Sequence, residues 1–183
     1  MNGMVNETRT GWRARVIFVA LFACAMLGLS GCGVDEESDV PVPVPAAPPS
    51  VKPEISGMRL KPKAASASRS NPGGDPTLNE NGDFVRTWNA GARAPQWIQL
   101  EFAEPTAIST VLLHIEQNPD GPSTHEIYGG PTPDALKLLA TADGARNRQW
   151  VEVKVMATDV KFLKVATTRS PSWVAWHEIE VYK

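Results

Sequence analysis

The side chains able to do chemistry are concentrated between apolar runs. Ser, His and Asp all occur, but the sequence holds no nucleophile elbow, no His-Glu-x-x-His helix, no metal-spaced histidine cluster and no phosphate-cradling glycine loop. His125-Glu126 lacks a second His at helical spacing and falls in a strand-like run. Catalysis is therefore not expected. Groups suited to holding a ligand gather instead at loops: Arg69, Asn71 and Asp75; Arg86, Asn89 and Arg93 around Trp88; Asn118, Asp120, Ser123 and His125 in QNPDGPSTH; Arg169, Ser172 and Trp173 in RSPSW. An aromatic face takes the C–H surface of a sugar ring, and Arg, Asn, Asp or His beside it fork bonds to adjacent hydroxyls. Each of these residues read singly is also an ordinary solvated turn position.

Two tryptophans three residues apart, Trp173 and Trp176 in SPSWVAWHEIEVYK, sharpen the question. In a strand continuing back from Ile179 and Val181, Trp176 would face away from the core, yet so large an apolar side chain is not left bare without cause. A bend or bulge between Trp176 and Glu178 resolves this and lets Trp176 plug the end of the core. Trp173, still in the loop, is then free to face a ligand or to lie as a lid on the core. Of the histidines, His114 alternates with Leu113 and Ile115 and points to the less apolar face. His125 stands where a loop re-enters a strand, within reach of a pocket, and His177 packs on the surface.

The elements that must position these residues read as strands. WIQLEF (97–102), STVLLHIE (109–116), QWVEVKV (149–155), KFLKVAT (161–167) and EIEVY (178–182) each alternate apolar and polar residues with period two. Clusters such as NPGGDP, NPDGPS, GGPTPD and TADGARN bound them. Only LNENGDF (78–84) and PDALKLLA (133–140) can hold a helical turn. Repeated short strands without intervening helices predict an all-β antiparallel sandwich or barrel.

Ahead of that domain, Arg9, Arg13 and Arg15 precede the apolar run VIFVALFACAMLGL and then Leu29-Ser30-Gly31-Cys32. A basic segment, a short apolar run and small residues mark a secretory leader over 1–31, too short for a span of about 20 residues. The last four residues resemble a bacterial lipobox, which implies cleavage before Cys32 and a lipid on it. More than one acyl chain would give a stable membrane anchor. Gly33 rather than Asp follows Cys32, which favours the outer membrane by the enteric rule. Residues 32–53 carry DEESD and then Pro41, Pro43, Pro45, Pro48, Pro49 and Pro53, an extended tether of about 3.1 Å per residue. The folded domain is expected over 54–183.

Composition narrows the partners. The 183 residues are 42% apolar and 21% charged, a globular balance, with a formal net charge of −2. Loss of a leader carrying three arginines against Glu7 leaves −4 on the mature chain. No nucleic-acid partner is expected from that charge. The chain has two cysteines, Cys24 in the leader and Cys32, so the mature domain holds no disulfide and no thiol nucleophile.

From Ala64 to Lys183 the order and spacing of AASASRS, NGDFVRTW, PQWIQLEFAEPTAISTVLLHI, HEIYGGPTPDALKLLA, VKFLKVATT and WVAWHEIEVYK resemble the discoidin family, the coagulation factor 5/8 C-type domain, which is related to bacterial carbohydrate-binding modules. The resemblance implies an eight-stranded antiparallel jelly-roll β-sandwich that binds sugars, phospholipid headgroups or proteins with the loops at one end. Of the loop residues, Arg69, Arg86, Asn118, Asp120, His125, Arg169 and Trp173 are the candidates to bind such a ligand. Many sugar-binding members hold a structural calcium ion near an Asp-Gly-Asn turn, a Thr two residues before a Trp and a Glu in the last strand. Here the turn reads Asn81-Gly82-Asp83, Arg86 takes the Thr position and the last-strand residue is Glu178. Calcium takes six to eight oxygens, for which Asn81, Asp83, Thr87 and Glu178, with Glu80 nearby, are the candidates. Alternatively Arg86 replaces the ion and pairs with Glu178, or Glu178 accepts bonds from loop backbone alone.

The expectation that follows is a non-catalytic, lipid-anchored module of the bacterial cell envelope that recognises carbohydrate. Two alternatives stand beside it: a protein-interaction subunit of an envelope complex, and a structural envelope lipoprotein. A fold hosts many functions, so the site decides.

Overall fold

The computed structural model describes residues 50–183. The leader, Cys32 and the tether through residue 49 lie outside the described residues. Eight antiparallel strands follow: β1 (Arg59–Leu60), β2 (Ala64–Ala67), β3 (Trp88–Arg93), β4 (Gln96–Glu116), β5 (Ser123–Gly130), β6 (Lys137–Ala145), β7 (Trp150–Arg169) and β8 (Trp173–Tyr182). The period-two runs supply them, and no helix occurs among the described residues.

β4 and β7 pair along nearly their full lengths and change neighbours on the way. Gln96–Glu101 of β4 lies between β2 and the second half of β7, which continues to β5 and then β6. Thr110–Glu116 of β4 lies between the first half of β7 and β8, which carries β1 and β3 on its other edge. The bent ladder thus passes from one layer of a jelly-roll sandwich to the other. Register shifts between Glu101 and Thr110 absorb the bend. Asp159, at φ 60°, takes the left-handed conformation on the β7 side, a region that Asp tolerates better than most residues.

The two inward faces close one core. Ile98, Leu100 and Phe102 from the first layer meet Val111, Leu113, Ile115, Ile179 and Val181 from the second, all at 3% exposure or less. Burial of each such side chain contributes about 1.5–3 kcal/mol. The runs 97–102 and 109–116, expected as separate strands, are one continuous β4, and 149–155 and 161–167 are one β7. β4 runs on through Pro105, inside the stretch where its register to β7 shifts. Neither expected helical turn forms. Residues 78–84 close through Gly82 N–H to the Asn79 carbonyl, with Asn79 Oδ1 accepting from the Asn81 and Asp83 N–H groups. Residues 131–136 turn into β6.

The fold's contacts reach back before Glu54. The Trp150 N–H donates to Ser50 Oγ at 2.6 Å, and Lys52 Nζ reaches Glu180 at 2.7 Å on the outer face of β8. Lys52 also stands 5.1 Å above the Trp150 ring. Met58 and Lys183 exchange backbone hydrogen bonds, which closes the base of this segment.

Candidate ligand-binding site

The closing strand β8 carries a bulge at the position expected. His114 pairs with Glu178 and Ile115 with Trp176, so His177 is the extra residue. The shift turns Trp176 inward, where it is fully buried and stacks on Trp88. Trp173, Ala175 and His177 consequently share the outward face of β8. Trp173 is 51% exposed.

On that face, at the C-terminal end of β4, lies an open cleft of about 240 Å³. Ala175 is its floor. Asn89 and Arg93 of β3 form one wall, and Glu116 with Gln117, Asn118 and Pro119 beyond it forms the other; Ser172 and Trp173 stand at the rim. Backbone pairing explains the grouping: Ala175 is opposite Asn89 on one side and Glu116 on the other, and Arg93 is opposite Trp173.

Local hydrogen bonds fix the walls. Ser172 Oγ accepts from Asn118 N–H at 3.0 Å and donates to the Asn118 carbonyl at 2.9 Å, which ties the β4–β5 loop to the β7–β8 loop. Arg93 donates to the Pro171 carbonyl at 2.9 Å. Asn89 Oδ1 accepts from Gly91 N–H at 2.7 Å. His177 Nε2 lies 2.6 Å from Glu116 Oε2, and its Nδ1 lies 2.8 Å from Thr87 Oγ1. Neighbouring His114 stacks on Trp150 at 4.2 Å, and burial, then the nearby His177, lowers its pKa to about 4.

Of the candidates read from sequence, the cleft gathers Asn118 and Trp173, together with Asn89, Arg93 and Ser172. The others lie elsewhere. His125 is 2% exposed, between Ser123 Oγ and Thr167 Oγ1 at 2.9 Å each, and burial lowers its pKa to about 4. It re-enters β5 pointing into the core rather than into a pocket. Asp120 is a loop staple: burial pulls its pKa upward, but bonds from Asn147 N–H, Gln117, Gly121 N–H and Arg146 outweigh this and hold it low. Arg169 pairs at 3.0 Å with exposed Asp143, which Thr124 also holds. Arg69 is exposed and lines no part of the cleft. Sequence reading passed over Glu116, although its parity with His114 places both on the outward face.

Three of the four expected calcium donors are engaged otherwise. Asp83 pairs with Arg59 at 2.5 Å and with Asn79, and Thr87 holds His177. Glu178 accepts from Phe84 N–H at 3.1 Å and Ile179 N–H at 2.9 Å, and burial raises its pKa to about 7. Asn81 is exposed in the turn. Arg86 donates to the Gly73 carbonyl at 2.8 Å and not to Glu178. A carboxyl that favours its proton, a carboxylate already neutralised by Arg59 and a guanidinium on a loop carbonyl do not fit a cage of six to eight oxygens. No cluster of three metal-ligating side chains occurs among the described residues.

Ser123 and His125 have the contact of a nucleophile and its base, but both are buried and neither lines the cleft. Nothing in that pair can meet a substrate.

No known family profile matches the sequence, and no curated protein matches it. Solved structures do match the fold. The family 32 carbohydrate-binding module of AlyQ, in complex with 4,5-unsaturated mannuronic acid, is 17% identical over 68% of this chain and 98% of its own, with a TM-score of 0.57. The chitosan-binding module 1 from a Paenibacillus sp. IK-5 chitosanase/glucanase is 18% identical over 70% and 100%, with a TM-score of 0.55. The family 32 module of C. perfringens NanJ, in complex with galactose, is 14% identical over 66% and 93%, with a TM-score of 0.55. In a longer AlyQ chain that joins such a module to an alginate lyase domain, the match spans 33% of the length. The described domain therefore has the all-β jelly-roll fold that these carbohydrate-binding modules share.

Proposed function

We propose that this protein is a non-catalytic carbohydrate-binding module, anchored by lipid at Cys32 to the bacterial cell envelope, more specifically its outer membrane, and displayed on the Pro-rich tether. The observation that carries the reading is Trp173: a half-exposed indole at the rim of a cleft walled by Asn89, Arg93, Glu116 and Asn118. A flat apolar ring beside convergent polar groups is what a sugar requires of a binding site. The fold neighbours support the class of ligand, since their own names describe complexes with galactose and mannuronic acid and a chitosan-binding module. Commitment of His125 and Asp120 to internal bonds supports binding rather than catalysis.

Glycan arrays and titration calorimetry on residues 50–183 test the reading, with Trp173→Ala as the control. Binding to at least one glycan, lost in Trp173→Ala while the melting temperature holds, supports it; no glycan bound on any array overturns it. One stoichiometric protein captured from envelope membranes in the presence of excess free sugar would favour the interaction-subunit alternative. Mass spectrometry of the mature N-terminus reports on the lipid at Cys32.

A further inference from the structure

Glu116 and Asn89 face each other across a methyl floor. Ala175 of β8 is the backbone partner of both, Asn89 on the β3 side and Glu116 on the β4 side. Each wall residue has one polar atom used and one open. Asn89 Oδ1 accepts from Gly91 N–H at 2.7 Å, and among the described residues its amide nitrogen has no partner. Glu116 Oε2 is held by His177 Nε2 at 2.6 Å, and among the described residues Oε1 has none. The cleft thus presents an open donor on one side and an open anionic acceptor on the other. Thr87 fixes the arrangement from behind. Its hydroxyl on His177 Nδ1 at 2.8 Å leaves Nε2–H to donate to Glu116.

We infer, on the strength of the carbohydrate reading above, that this cleft selects an uncharged sugar by a vicinal hydroxyl pair and rejects uronic acids. A hydroxyl donates and accepts at once, so one hydroxyl donates to Glu116 while its neighbour accepts from Asn89, with the ring face against Trp173. A ligand carboxylate in the same place would meet Glu116 as a like charge, with only the neutral Asn89 amide to donate to it, which works against anionic sugars. Arg93 lines the same cleft but stands opposite Trp173, one pair further along β8 than Ala175, and donates through Nη1 to the Pro171 carbonyl, so its charge bears on the Trp173 end and not on the Glu116–Asn89 pair. Thr87 and His177 act as positioning residues for Glu116.

The test is a nuclear magnetic resonance titration of residues 50–183, following the Trp173 indole N–H. Probes are the methyl pyranosides of glucose, galactose and mannose, and the uronate counterpart of each. At least one neutral pyranoside is expected to shift the Trp173 signal and to bind at least about tenfold more tightly than its uronate. Glu116→Gln should shrink that ratio, and His177→Phe should weaken the neutral sugar without moving the indole signal of Trp176. Equal or tighter binding of the uronate, or a ratio unchanged in Glu116→Gln, overturns the selectivity while the carbohydrate reading stands. A Trp173 signal unmoved by every probe likewise overturns the selectivity, and the glycan arrays then decide the carbohydrate reading by themselves.

Discussion

Trp88 and Trp176 stack at 5.1 Å between ring centroids with 15° between their planes, at 1% and 0% exposure. Trp88 Nε1 donates to Ser70 Oγ at 3.1 Å, whereas Trp176 Nε1 is buried without a partner. Packing rather than polarity holds Trp176. Trp176→Ala should therefore cost about 3–5 kcal/mol, and Trp173→Ala, three residues earlier on the solvent face, under about 0.5 kcal/mol. Urea denaturation separates them; equal losses would contradict the inward and outward assignment.

The alternation of Ile98, Leu100 and Phe102, and of Val111, Leu113 and Ile115, was enough to read strands and their buried faces, because period two leaves one solution for burial; it left sandwich and barrel both open, and the family resemblance pointed to the sandwich. The bulge at His177 was legible for the same reason, since Trp176 had the wrong parity for its size. What the sequence did not display was partnership. Asp120 and His125 have the side chains of ligand-binding residues, and only the fold brings Asn147 and Arg146 to the first and Thr167 to the second. Glu116 failed to stand out because one carboxylate in a strand looks like any solvated edge, until β8 places Ala175 and His177 beside it.

Calcium is expected to leave the domain unchanged. Binding at a hundredfold excess over Kd stabilises a fold by about 2.7 kcal/mol, a shift of several degrees that a thermal melt resolves. With Asp83 on Arg59 and Glu178 on two backbone N–H groups, millimolar calcium and a chelator should give the same melting temperature. A rise with calcium alone would mean that the Asn81–Asp83 turn rearranges to free its carboxylate.

One buried and two half-buried groups, His125, His114 and Glu178, dominate the pH dependence near neutrality. Burial lowers His125 to about 4 and, with His177, lowers His114 to about 4, while burial raises Glu178 to about 7. Each histidine binds its proton more readily in the unfolded chain, so its contribution rises with pH between about 4 and the ordinary 6.5. Glu178 binds its proton more readily when folded, so its contribution falls with pH from the ordinary 4.5 to about 7. Two histidines outweigh one glutamate where the windows overlap. Stability should climb through the acidic range, crest near pH ~6.5 and then decline slightly. Denaturation midpoints against pH read this directly, and Glu178→Gln should remove the decline. A wild-type curve that keeps rising past neutrality would contradict the raised Glu178.

The folded unit should need its residues before Glu54. Glu180 is 3% exposed, and a carboxylate so deeply placed must be matched. Its Oε1 takes Lys52 at 2.7 Å and Arg59 at 3.3 Å, and its Oε2 accepts from the Tyr182 hydroxyl at 2.7 Å. Arg59 is divided between Glu180 and Asp83, and its Nε is buried without a partner. Lys52 is thus the cation committed to Glu180 alone, and it also rests over Trp150. Losing it leaves Arg59 to serve two carboxylates, which is milder than stranding a buried charge at about 3–5 kcal/mol. Lys52→Ala should therefore cost about 1–2 kcal/mol. A chain beginning at Glu54 should lose at least as much, because it also forfeits the Ser50 contact to Trp150. Equal denaturation midpoints for chains beginning at Ser50 and at Glu54 would show that this segment only rests on the domain.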